Sequence, residues 1–192
     1  MLHIALICPR IPPNTGNIAR LCAATDSSLH LIEPLGFSVD DAALRRAGLD
    51  YWDAVDLWIH PGWRDFRDAI TRDRCLYFSA RAERDIGEAP FRTNSVLVFG
   101  NETDGMPDRI LEKHPEQCFT IPMQSGKVRS LNLATAAGIV LYEALRHLGS
   151  EAAAARAAEL AGEDAPPPPA RGSPSRRPRR TAGKRRRSPP TL

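Results

Sequence analysis

Short apolar runs alternate with segments of helical periodicity along most of this chain. The apolar runs are nearly continuous, which is typical of strands buried on both faces of a sheet. Together they predict an α/β fold, a mainly parallel sheet flanked by helices. The predicted strands are Leu2–Cys8, Leu29–Ile32, Leu57–Ile59, Cys75–Phe78, Ser95–Phe99 and Cys118–Ile121, and the predicted helices are Ile18–Thr25, Asp41–Ala47, Arg64–Thr71 and Pro107–Lys113.

A longer amphipathic helix is predicted from Leu133 to Leu148. Its apolar positions fall on one face of a 3.6-residue repeat. Ser130 or Asn132 can cap its first turn, and Gly149 is a natural stop. The apolar face must pack on the sheet or on a partner subunit. Its members are Leu133, Ala137, Val140, Leu141, Ala144 and Leu148.

The composition changes after this helix. Residues 151–161 are rich in Ala and can extend the helix in frayed form, whereas from Pro166 the chain is mostly Pro, Arg, Ser and Gly. Such a segment buries too little apolar surface to offset the entropy of ordering it. The sequence therefore predicts one folded domain over residues 1–150 and a disordered basic tail over 151–192.

The net charge of +3 is unevenly distributed over the 192 residues. Nine of the 26 Lys and Arg residues lie from Arg171 onward, and all 23 acidic residues lie at or before Asp164. Residues 1–165 thus hold 17 basic and 23 acidic residues, a net charge of −6. RNA binding by the folded part therefore needs a local basic patch or the tail.

Several classes of protein are disfavoured by what the chain lacks. The four cysteines form no C-x-x-C pair, and the histidines do not cluster with them, so we expect reduced thiols and no metal. The opening MLHIALIC is too short for a signal peptide, and no run approaches the ~20 apolar residues of a membrane span. We expect a cytoplasmic protein that uses no membrane.

Polar segments follow two of the predicted strands, and each has an ordinary structural explanation. The PPNTGN segment after the first strand can be a turn before a helix, with Arg20 solvated about one turn into that helix. Gly100 and Gly105 can be turn glycines, and Glu102 between them an exposed carboxylate. The same positions suit a ligand site, because glycines let a ligand approach the backbone and Asn and Arg side chains contact phosphate or ribose.

Taken together, these segments resemble the SpoU/TrmH class of RNA 2′-O-methyltransferases. The resemblance runs from Leu2 to about Gly149 and is strongest to the small enzymes that methylate cytidine or uridine 34 of tRNA. It rests on IPPNTGNIARLCA, HLIEPLGF, LRRAGLDY, FGNETDGMP, IPM and VRSLNLATAAGIVLYEAL, in that order. The resemblance implies a C-terminal deep trefoil knot, an obligate homodimer and a tRNA anticodon stem-loop as partner.

The resemblance also implies which residues form the site. S-adenosyl-L-methionine is the implied cofactor, and the implied catalytic group is Arg20, which engages the ribose and its phosphate from the partner subunit. Asn14 and Ser130 would position the ribose, Glu102 would hold the knot loop or Arg20, and Asn132 would lie close by. The implied cofactor contacts are Phe78, Gly100, Ile121, Met123, Ser130 and Leu131.

Other functions remain open at this stage. A 2′-O-methyltransferase acting on ribosomal RNA or on another tRNA position has similar motifs. A non-catalytic RNA-binding protein of the same fold is a further alternative, although Arg20 and Gly100 are both retained. A doubly wound oxidoreductase is disfavoured because no G-x-G-x-x-G follows the first strand.

Overall fold

The computed structural model describes residues 1–38 and 54–160. Seven strands form a single sheet in which every pair is parallel, in the order β3-β2-β1-β6-β4-β7-β5. The predicted α/β class with a parallel sheet is confirmed. The strands are β1 (His3–Ile7), β2 (Ser28–Ile32), β3 (Asp56–His60), β4 (Cys75–Phe78), β5 (Arg84–Asp85), β6 (Val96–Phe99) and β7 (Cys118–Thr120).

Within the described ranges, four α-helices cover the two faces of the sheet. They are α1 (Pro12–Thr25), α2 (Trp63–Ala69), α3 (Asp108–Lys113) and α4 (Leu133–Leu160). Residues of α1 and α4 pack in one apolar cluster with one face of the sheet, and residues of α2 and α3 pack in a second cluster on the other. Because both faces are covered, β1, β2, β4 and β6 are buried along nearly their whole length.

Helix α1 begins earlier than the sequence predicts. The segment assigned to a strand-to-helix loop forms the first turns of the helix, which starts at Pro12. Proline suits the first helical turn because its fixed φ matches the helix and its missing N–H is not needed there. Asn14 and Thr15 are consequently buried in the first turn.

Helix α4 ends later than predicted. The stop expected at Gly149 is wrong, and the helix runs on to Leu160, as the Ala-rich composition of 151–161 had indicated. A single glycine costs a helix only ~1 kcal/mol, which flanking helix-forming residues offset. Strand β5 was missed because it has only two residues. The predicted helix Asp41–Ala47 and the tail from residue 161 lie outside the described residues.

Candidate functional site

A pocket of about 630 Å³ lies at the carboxyl ends of β4, β6 and β7. Strand β4 lies between β6 and β7 in the sheet, so the segments that leave those two strands pass on either side of its end. Phe78 at the end of β4 forms part of the wall, as do Gly100 after β6 and Ile121 after β7. Parallel sheets bind ligands at this edge, and the volume is typical of small-molecule pockets.

The carboxylate of Glu102 holds the start of α1 against the loop after β6. It accepts hydrogen bonds from the backbone N–H of Arg10 at 2.9 Å and of Ile11 at 3.2 Å. It also accepts one from the Asn14 side chain at 3.0 Å. Burial alone would raise the pKa of Glu102, but these donors together lower it below its ordinary value.

Asn14 extends this contact to the beginning of α4. Its amide oxygen accepts a hydrogen bond from Nδ2 of Asn132 at 3.0 Å. Asn132 in turn caps α4, because its Oδ1 accepts from the backbone N–H of Ala134 at 2.9 Å and of Thr135 at 3.2 Å. The expectation that Asn132 caps this helix is confirmed. The chain Glu102–Asn14–Asn132 therefore ties two helix N-termini and one loop around the pocket.

The loop from Gly100 to Met106 folds back on itself and leaves no space for a side chain at Gly100. Asn101 and Gly105 form a bridge, and Gly105 has a φ of +69°, which favours glycine. A Cβ at Gly100 would lie 2.1 Å from the carbonyl carbon and oxygen of Gly105. The glycine at position 100 is thus required by the fold of the loop, whatever ligand the pocket takes.

Two arginines that the sequence analysis missed brace the pocket. Arg10 binds Asp104 through an ion pair of 2.7 Å. Arg81 bonds the carbonyl oxygen of Met106 and pairs with Asp108 at the start of α3. Their only sequence signal was position, since Arg10 follows β1 and Arg81 follows β4.

Nine of the ten predicted site residues line this pocket, and Arg20 does not. The nine are Asn14, Phe78, Gly100, Glu102, Ile121, Met123, Ser130, Leu131 and Asn132. Arg20 lies on the exposed side of α1. It lies six positions after Asn14, about 9 Å along the helix axis and roughly 120° around it. The two side chains therefore leave α1 in different directions.

The lining suits a cofactor with an apolar ring and polar ends. Phe78, Ile121, Met123 and Leu131 supply apolar surface, and the backbone at Gly100 lies directly at the wall. In the described part of the chain, no group of three or more His, Cys, Asp or Glu side chains is placed to hold a metal ion. No helix within residues 1–38 and 54–160 is long and apolar enough to cross a membrane.

Comparison with known proteins agrees with the resemblance seen in the motifs. A profile of the SpoU rRNA Methylase family matches residues 1–142. The tRNA (cytidine(34)-2′-O)-methyltransferase of Burkholderia cenocepacia is 45% identical over 157 residues, which cover 80% of this chain and 100% of the relative. The chain belongs to the SpoU methylase family.

Solved structures point the same way. One, described as giving insights into the 2-OH methylation of C/U34 on tRNA, is 47% identical with a TM-score of 0.71, covering 78% of this chain and 97% of the other. An AdoMet-bound rRNA methyltransferase from Sinorhizobium meliloti is 29% identical with a TM-score of 0.65. That match covers 77% of this chain and 56% of the other.

Proposed function

We propose that the protein transfers a methyl group from S-adenosyl-L-methionine to the ribose 2′-hydroxyl of nucleotide 34 in tRNA. The observation that carries this proposal is the near-complete coverage of relatives with that activity at about 45% identity. The pocket adds independent support, because its walls come from the same segments that carry the family motifs.

In this proposal the cofactor occupies the pocket at the ends of β4, β6 and β7. Phe78, Ile121, Met123 and Leu131 would contact its apolar parts, while backbone groups near Gly100 and Ser130 would bind its polar parts. When bound, the cofactor supplies an activated methyl group on a sulfonium. The protein then has to orient the 2′-hydroxyl and favour loss of its proton.

Arg20 is the proposed catalytic residue. A guanidinium offers N–H donors and no acceptor, so it suits stabilisation of the oxyanion that develops on the ribose better than direct proton abstraction. Asn14 and Ser130 lie in the pocket, where their side chains can orient the ribose. Glu102 and Asn132 serve as positioning residues, because their hydrogen bonds fix the backbone around the pocket.

The position of Arg20 supports a site shared by two subunits. Arg20 is exposed on α1 and absent from the pocket lining of its own chain. Helix α4, which packs on α1, exposes Ile139 at 41% and Tyr142 at 58% of their surface. These apolar side chains, three residues apart, form one surface. A homodimer that buries this surface would bring Arg20 near a partner pocket.

The remaining parts of the proposal follow from the family. The segment after β7 and α4 would thread through the loop after β6 as a deep trefoil knot, which the position of β4 between β6 and β7 permits. The substrate contact would be the tRNA anticodon stem-loop, and the enzyme would work in the cytoplasm, where tRNA is modified.

Ribosomal RNA is the second candidate substrate. It is favoured by the 29% identical rRNA methyltransferase and by the family name, and it requires the same pocket. A methylation assay distinguishes the two candidate substrates. Purified protein is incubated with methyl-labelled S-adenosyl-L-methionine and either total tRNA or rRNA. We expect label in tRNA, with mass spectrometry of nuclease fragments placing it on the ribose of nucleotide 34. Label found only in rRNA, or on a base, would contradict the proposal.

A further inference from the structure

A second, strongly basic groove of about 380 Å³ lies between α2 and α3, on the sheet face opposite α1 and α4. None of its described lining residues is acidic. Four of them are Arg or Lys, and the rest are Trp63, Ile110 and His114. The four cations are Arg67, Arg72, Arg109 and Lys113. Their concentration contrasts with the net charge of −6 that residues 1–165 carry.

Arg67 is a fixed cation on the inner side of this groove. Its guanidinium donates a 2.6 Å hydrogen bond to the hydroxyl of Tyr77 and lies 5.7 Å from the centre of the Trp63 ring. His114 stacks on Tyr77 with 5.4 Å between ring centres. The aromatic rings thus hold the Arg67 side chain in one place, so little entropy is lost when an anion binds it.

Arg72, Arg109 and Lys113 are exposed. None of these three forms an ion pair with another described side chain. Elsewhere on the described surface, Arg10, Arg64, Arg81, Arg84 and Arg146 do pair with carboxylates. As far as residues 1–38 and 54–160 are concerned, these three cations can bind an external anion without first breaking a salt bridge.

The groove also adjoins the cofactor pocket. Helix α3 begins two residues after Met106, which lines that pocket. Burial raises the pKa of the Cys8 thiol at the end of β1, and both Arg10 and Arg109 act on it in the opposite direction. Both arginines therefore lie close enough to act on Cys8, and the Arg10 partner Asp104 is in the pocket wall.

We propose that this groove binds phosphodiester groups of the tRNA whose ribose enters the neighbouring pocket. The assignment rests on the proposed function for the identity of the RNA. Charge complementarity favours a polyanion, because four cations line a single groove and none of them pairs with a described carboxylate. His114 adds a neutral imidazole, since burial and then Arg67 and Lys113 lower its pKa. Phosphate contacts of this kind position an RNA and carry no sequence preference.

The test compares two double variants that remove equal charge. Arg72→Gln/Arg109→Gln neutralises two exposed groove cations, and Arg64→Gln/Arg92→Gln neutralises two exposed cations outside the groove. Filter binding of tRNA without cofactor is measured across a salt series, with thermal unfolding to show that both variants fold. For the groove variant we expect roughly 10- to 30-fold weaker binding at 0.15 M salt and a salt slope lower by about 1.4–1.8.

The control variant should bind tRNA like the wild type, and both should bind S-adenosyl-L-methionine normally. Equal weakening of tRNA binding in both variants would show that the effect depends on net charge and not on the groove, which would overturn the inference. Unchanged binding in the groove variant would overturn it as well. Failure of the proposed function is separate, because it would appear as wild-type protein that binds tRNA but does not methylate it.

Discussion

Asn132 donates a 3.0 Å hydrogen bond through its side-chain amide to the amide oxygen of Asn14, across 118 residues of sequence. The Asn14 amide nitrogen donates to Glu102, an acceptor only, so the orientation of the Asn14 amide is determined. This single contact couples the start of α1 to the start of α4 beside the pocket. Three motifs that are far apart in the sequence thus depend on one buried side chain.

Replacement of Asn14 tests this coupling. Asn14→Ala should lower the free energy of unfolding by about 1–3 kcal/mol, because Glu102 and Asn132 each lose a partner. Asn14→Asp should be worse at neutral pH, since it places a second carboxylate beside Glu102. Urea unfolding at pH 7 and pH 5 measures both, with Asn17→Ala on the exposed side of α1 as the control. Equal stability of the Asp variant and wild type would refute the assigned contact.

Gly100→Ala should disrupt the loop after β6. A Cβ there meets the backbone of Gly105 at 2.1 Å, so the loop must move and the pocket wall with it. We expect loss of S-adenosyl-L-methionine binding in calorimetry, together with reduced stability. Gly149→Ala is the matched control, because a Cβ there meets nothing within 4 Å and should add about 0.5–1 kcal/mol of helix stability. Normal cofactor affinity in Gly100→Ala would show that the loop adapts.

A chain of three histidines predicts sensitivity to acid. His30 lies between His3 and His60, with ring nitrogens 3.1 Å and 3.0 Å from theirs. Burial, followed by repulsion from His3 and His60, lowers the pKa of His30 to about 3. The unfolded chain binds this proton below pH ~6.5 and the folded chain does not, so stability falls as the pH drops below that value.

Between pH 7 and pH 5, we expect the free energy of unfolding to fall by roughly 2 kcal/mol because of His30 alone. Charged groups also act on the two outer histidines. They are the N-terminus, Asp56 and Arg74 at His3, and Asp65 at His60. Glu102, with a lowered pKa, contributes only at lower pH. The His30→Gln variant should be less stable at pH 7, but its free energy of unfolding should change less between pH 7 and pH 5. An equal slope in both proteins would contradict the assignment.

Arg20 gives the sharpest prediction about catalysis. Arg20→Ala should reduce turnover by roughly 10²–10³ while cofactor affinity stays within a few-fold, because the side chain lies outside its own pocket. Arg20→Lys keeps the charge but loses the planar donor fork, so it should recover only part of the rate. Mixed dimers of Arg20→Ala and Gly100→Ala subunits should regain activity through one intact shared site. Inactive mixed dimers, or an active monomer in sedimentation, would contradict a shared site.

The basic tail should strengthen RNA binding without affecting chemistry. Residues 171–192 contain nine Lys and Arg residues and no acidic residue. If about half reach phosphates, truncation after Gly162 should reduce the salt slope of tRNA binding by roughly 3–4. Turnover at saturating tRNA should persist. Superimposable binding curves for the full and truncated chains would show that the tail does not contribute to RNA binding.

The sequence predicted most of the strands from their apolar runs, and the family resemblance supplied the nine pocket residues. Phe78, Gly100 and Ile121 agree with the rule that parallel strands place their carboxyl ends at one edge of a sheet, since each lies at or just after the end of a strand. The direction of the Arg20 side chain could not be predicted from the apolar pattern, because it depends on where α1 begins. The two prolines at the start of α1 are equally compatible with a loop. The Arg10–Asp104 ion pair could not be predicted from the sequence either, because the two residues lie in loops 94 residues apart.

Transfer of a methyl group to the ribose of nucleotide 34 can be measured with two tRNAs that differ only in the 2′-hydroxyl of that nucleotide. Each tRNA is incubated with purified protein and methyl-labelled S-adenosyl-L-methionine. We expect one methyl group per tRNA with a ribonucleotide at position 34 and none on the 2′-deoxy tRNA, since the acceptor oxygen is missing. Equal labelling of both tRNAs would place the methyl group elsewhere and rule out transfer to this ribose.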